Sequence, residues 1–145
     1  MSASAASAAS PAESLRRRSR EALSALAVMF LLGMAMNLIG EPKGTFVIVV
    51  DTIFTILHIL IAIGLIVVAV RALLAARKAG LGQRLALWGL IVIIIAFLAG
   101  VGTIISGNEW ASYVMAVGFL VAAAIYGGTF FASYRAGVAS ATPAA

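Results

Sequence analysis

The chain has no cysteine, which excludes a disulfide framework and any cysteine-held metal. Charged residues are scarce, at 10% of 145 positions, with only 5 Asp and Glu and a single His. An ordinary globular domain carries about 25% charged residues. This scarcity excludes a water-soluble enzyme or binding domain. The motifs of soluble catalysis are missing too: there is no phosphate loop, no G-x-S-x-G, no H-E-x-x-H and no pair of carboxylates on one face. Gly80-x-Gly82 lacks a preceding strand and a third glycine, so it reads as a turn. What the chain does have is apolar side chains, at 63% of residues, far too many for a disordered polymer.

Those residues fall into four runs, about 22–40, 46–70, 85–106 and 111–134. Each is close to the roughly 20 residues that a helix needs to cross a bilayer. None alternates with period two, and all are too long for barrel strands of about 9–11 residues. Helices also satisfy their own backbone hydrogen bonds in lipid. The breaks are short: Glu41-Pro42-Lys43-Gly44, then Arg77 through Arg84, then Ser106-Gly107-Asn108-Glu109. Connections of this length make neighbouring helices antiparallel. The expected fold is all-α: a polytopic, up-down bundle of four transmembrane helices covering residues 21–135, without internal repeat. Residues 1–20, rich in Ser, Ala and Arg, are expected to be a disordered arm, and residues 136–145 a flexible tail.

Basic residues set the expected orientation. Arg16, Arg17, Arg18 and Arg20 precede span one. Arg71, Arg77, Lys78 and Arg84 lie between spans two and three, and Arg135 follows span four. These segments share one side and hold nine of the ten Lys and Arg, leaving Lys43 across the membrane. The positive-inside rule then puts both termini in the cytoplasm of a multi-pass cell-membrane protein. The arm can touch anionic lipid heads. No aromatic residue interleaves its arginines, so it does not read as a nucleic-acid site. The first apolar run is longer than a signal peptide's and ends in Met36-Asn37-Leu38-Ile39-Gly40 without a small-residue cleavage site, so it reads as a retained helix.

Polar groups inside hydrocarbon are costly and therefore informative. Span two contains Asp51, Thr55 and His58, spaced four and three apart and hence on one helical stripe. Asn37, Thr103, Ser106, Ser112 and Tyr113 lie near the same membrane face as Asp51. Together they suggest a polar funnel closed by an apolar plug. His58 lies about 18 Å along the helix from Phe46, near the bilayer midplane. Three readings of His58 stand: a neutral histidine tying the bundle together through Thr55 or a neighbouring helix; an axial ligand of a b-type haem; or a proton or ion relay with Asp51. A haem would need a second ligand at similar depth. Met29 is the one methionine at that level, about 16 Å along span one from Gly40, whereas Met34, Met36 and Met115 are shallower. Asp51 and His58 stand about 10 Å apart along the axis, so a relay needs Thr55 or water between them.

Small-residue pairs mark helix contacts: Ala96-x-x-x-Gly100, Ala123-x-x-x-Gly127 and Ala124-x-x-x-Gly128. Trp110, Tyr113, Tyr134 and Trp88 occupy interfacial-belt positions.

The motifs Met36-Asn37-Leu38-Ile39-Gly40, Leu57-His58-Ile59-Leu60 and Asn108-Glu109-Trp110 give the chain an order of features over residues 22–134 that resembles small four-helix membrane proteins of actinobacterial type. Some of these are distantly like b-type cytochrome bundles, which carry one His on the second helix and another on the fourth. The resemblance implies a four-helix membrane fold and makes His58 the counterpart of the first ligand. The chain departs at the second, where span four reads Ser112-Tyr113-Val114-Met115-Ala116.

With tiny loops and no complete site, the chain is expected to be a non-enzymatic integral membrane protein. It would act by helix–helix association, as a homo-oligomer or an accessory subunit of a larger membrane complex. The alternatives are a redox protein holding haem b or a quinone near His58 with Met29, and a small channel or carrier using Asp51, Thr55 and His58.

Overall fold

The computed structural model describes residues 10–39 and 43–141. Within them lie four helices: α1 (Pro11–Ile39), α2 (Thr45–Ala79), α3 (Gln83–Ser106) and α4 (Glu109–Ala141). All four are long and apolar enough to cross a membrane. The protein is an all-helical, multi-pass membrane bundle of the expected kind. Each helix packs on its neighbours in sequence, and α1 also packs on α4, so the four form a closed ring in which diagonal backbones stay apart. The end carrying both termini and the α2–α3 turn is called proximal, the opposite end distal.

Several boundaries differ from the expectation. α1 begins at Pro11 rather than Ala22, so residues 11–20 are helical, and Leu15 and Ser19 on them are buried. The arginines that made this stretch look like a solvated arm flank a buried face at helical spacing. α4 likewise runs on to Ala141, through the first part of the expected tail. The joint between α2 and α3 shrinks to residues 80–82. Gly80 closes α2 at φ 65°, a left-handed conformation that favours glycine, with its N–H turned back to the last carbonyls. Gly107 ends α3 in the same way, donating to the Thr103 carbonyl at 2.9 Å. Asn108 then starts α4, its side-chain oxygen accepting from the Trp110 N–H at 2.9 Å. Residues 1–9, 40–42 and 142–145 lie outside the described residues.

The buried face of every helix follows alternating steps of three and four. On α1 it is Leu15, Ser19, Ala22, Leu26 and Met29; on α2, Ala62, Leu65, Ala69, Ala72 and Ala76. On α3 it is Ala86, Gly89, Ile93 and Ala96; on α4, Ala122, Tyr126, Thr129 and Ser133. This is the 3.5-residue period of a coiled-coil seam. Large side chains such as Leu31, Leu60, Leu98, Leu120 and Phe131 point outward, each more than half exposed. In water that surface would be an aggregation hazard, whereas in lipid it is the solvated surface.

The proximal half of the seam is tight. Its alanines and glycines bring the backbones close, and Tyr126 is wholly buried against Gly89. Across α1 and α4, Ser19 and Thr129 share a buried hydrogen bond of 3.0 Å. The Thr129 hydroxyl donates onward to the Tyr126 carbonyl at 2.9 Å, so Ser19 is the donor to Thr129. Outside, Arg17 and Arg18 both bind the Glu21 carboxylate, at 3.1 and 2.6 Å.

Candidate functional site

The seam continues distally with different residues. α2 adds Asp51, Thr55 and His58 in the same steps that place Ala62, Leu65 and Ala69 in the core. α1 adds Gly33 and Met36, α3 adds Gly100 and Thr103, and α4 adds Ser112, Met115 and Phe119. Apart from Phe119, these side chains are small, flexible or polar, and together they do not fill the axis. The result is a cavity of about 970 Å³ lined by all of these residues and floored by Leu26, Leu65, Ile93 and Ala122. Its wall is largely apolar.

Asp51, Thr55, His58 and Met29 all line the cavity. His58 is its best-defined polar element. The ring lies edge-on to Phe119 of α4, with centroids 6.4 Å apart and planes at 63°. Across from it α1 presents Gly33, where a Cβ would stand 3.9 Å from the His58 Cε1. Nδ1 is buried and has no hydrogen-bond partner among the described residues. The bond from Thr55 or a neighbouring helix, which would make His58 a plain structural tie, is therefore not formed at this nitrogen. Asp51, toward the cavity mouth, also has neither an ion pair nor a hydrogen bond among the described residues.

Other polar residues take simpler roles. Thr103 donates to the Ala99 carbonyl and Ser106 to that of Gly102, both within α3. Thr103 still lines the cavity, as do Ser112 and Tyr113. Trp110 and Tyr113 pair at 6.0 Å at the distal end. The side chain of Asn37 lies outside the described residues.

Residues that hydropathy had not singled out also belong here. Glu109, which looked like part of a loop, opens α4 and lines the mouth. Met34, Met36 and Met115, assigned to shallower levels than His58, line the same cavity as Met29. Gly33 and Phe119 frame the imidazole. The signal that finds most of them is the 3.5-residue phase carried along each helix, rather than hydropathy.

The small-residue pairs divide. Ala96 packs on Gly118 of α4, where an added Cβ would come within 2.9 Å of the Ala96 Cβ, and Gly100 faces the Met115 sulfur. Gly127 and Gly128 have nothing within 4 Å of an added Cβ, so neither glycine is the site of a close helix approach inside this bundle, although Ala123 packs against the core.

No group of three or more His and acidic residues suited to a metal ion exists among the described residues. Compared with known proteins, the chain matches no family, no curated protein and no solved structure. The four-helix apolar architecture stands on the chain's own structure.

Proposed function

We propose that this protein is a membrane-embedded binding protein whose distal half holds an apolar molecule against His58. One observation carries the reading: a cavity of about 970 Å³ is lined by His58, whose Nδ1 is buried and lacks a partner among the described residues. Ligand sites are concave, mostly apolar and about 300–1,000 Å³, with a few polar groups that fix orientation. A buried polar atom without a partner costs about 1–3 kcal/mol, which a ligand's hydrogen bond offsets once the His58 ring turns Nδ1 toward the cavity.

Haem does not fit the site well. Its two propionates need cations, and among the described residues the cavity wall has two carboxylates, Asp51 and Glu109, and no Lys or Arg. A neutral quinone meets no such conflict. A channel is disfavoured by the packing beneath the cavity, where Leu26, Leu65, Ala69, Ile93 and Tyr126 give an ion no polar route.

Equilibrium dialysis of the protein in lipid nanodiscs against menadione, a neutral quinone, tests this reading. Saturable binding, one per chain, weakened at least tenfold by Gly33→Leu supports it. Partitioning equal to that of empty nanodiscs overturns it.

A second reading rests on the outer face of α4. Ala124 and Gly128 are exposed there, and small residues at this spacing let membrane helices approach closely. Association with a second copy or a partner subunit through this face is tested by native mass in mild detergent. A higher mass that Gly128→Leu reduces to the monomer supports it, and a monomer throughout rejects it.

A further inference from the structure

We propose that the ligand class of the distal cavity is a lipophilic organic cation, one whose positive charge is screened by apolar substituents. This inference rests on the binding reading above and adds the sign of the ligand's charge.

The formal charge at the cavity is one-sided. Asp51 and Glu109 line it from α2 and α4, and among the described residues no Lys or Arg does. Glu109 has an ordinary explanation, since an acid in the first turn of a helix is stabilised by the helix dipole. Asp51 has none. It is the seventh residue of α2, beyond the first turn, and it has no ion pair or hydrogen bond among the described residues. A carboxylate within a membrane helix normally pairs with another group or faces a functional cavity. Here the cavity is present and the counter-charge is missing.

The rest of the wall fits such a ligand. Phe30, Phe97, Phe119 and Tyr113 contribute aromatic rings from three helices. Aromatic faces attract cations, and more strongly where water is excluded. A small hydrated metal ion would find no cluster of His and acids, whereas a bulky cation fills about 970 Å³ and contacts the apolar wall. The attraction is also strengthened by position, because Coulomb energies grow as the surroundings become less polar.

Tetraphenylphosphonium and tetraphenylborate are close to the same shape and differ in the sign of their charge. Binding of each to the wild-type protein in zwitterionic nanodiscs is measured by equilibrium dialysis, corrected for empty discs. The expected result is saturable binding of the phosphonium at least tenfold tighter than that of the borate. Asp51→Asn with Glu109→Gln should weaken the phosphonium about tenfold more than it weakens the borate. Equal affinity for the two ions, or tighter borate binding, overturns the charge assignment while saturable menadione binding keeps the cavity reading. Phosphonium affinity unchanged in the double variant also overturns it. If neither ion nor menadione binds, the cavity reading fails and this inference fails with it. The wild-type comparison of the two ions needs no variant to fold.

Discussion

Gly89 of α3 and Tyr126 of α4 are in direct contact: a Cβ on Gly89 would stand 2.9 Å from Cζ of the Tyr126 ring. Tyr126 is fully buried within the core cluster, so its ring cannot swing aside without displacing the side chains packed around it. Gly89→Ala should therefore destabilise the bundle by about 1–3 kcal/mol, the usual cost of overpacking. This outweighs the gain of up to about 1 kcal/mol in helix propensity. Gly128→Ala, made in open space, should leave stability unchanged or raise it. Thermal unfolding of the two variants in the same detergent compares them directly.

The approach of α3 to α4 depends on Gly118, which lies on Ala96. Gly118→Ala alone should destabilise the protein, and adding Ala96→Gly should restore much of the loss. A double-mutant cycle that finds the two changes additive would mean that the helices are not in contact at this level.

The Ser19–Thr129 hydrogen bond joins α1 to α4 in the proximal half. Polar bonds between membrane helices average about 0.6 kcal/mol in double-mutant cycles. Ser19→Ala and Thr129→Val should show a coupling of that size. A coupling near zero would show that the bond is not formed in the membrane.

Binding and structural roles of His58 predict opposite outcomes. Replacing a buried group that lacks a partner by an apolar one of similar shape is close to neutral or stabilising. His58→Phe should thus keep or raise the melting temperature and still lose at least tenfold in menadione affinity. A fall in stability with binding retained would make His58 a structural tie.

The topology is also open to test. Proposed from the basic segments, both termini lie on the cytoplasmic side. Reporter tags fused at the two ends should report the same face, because four crossings separate them. Tags on opposite faces would refute the up-down arrangement.

Hydropathy locates the four helices because each apolar run is far longer than a soluble protein needs. It misplaces the start of α1 because Arg16, Arg17, Arg18 and Arg20 outweigh Leu15 and Ser19 in any average, although these two occupy the buried face. The stripe of Asp51, Thr55 and His58 stands out because polar residues contrast with their surroundings. The opposite wall does not, since Gly33, Gly100 and Met115 are as apolar as the lipid-facing residues beside them. In a membrane bundle the inner and outer faces share one polarity, so only side-chain size and the 3.5-residue phase distinguish them. Glu109 is missed for another reason: next to Gly107 and Asn108 it reads as part of a turn.

Leu15, Ala76 and Ala86 form one buried layer at the level of Arg16, Arg77 and Arg84. Those charges belong at the headgroups, so this layer closes next to water, while the layers around Leu26 and Ile93 close inside hydrocarbon. One rod of four helices is thus assembled by two forces, expulsion of water at one end and close fit alone further in. Cooling weakens only the first, so chilled protein should fray from the arginine-bearing end while its midsection stays shut.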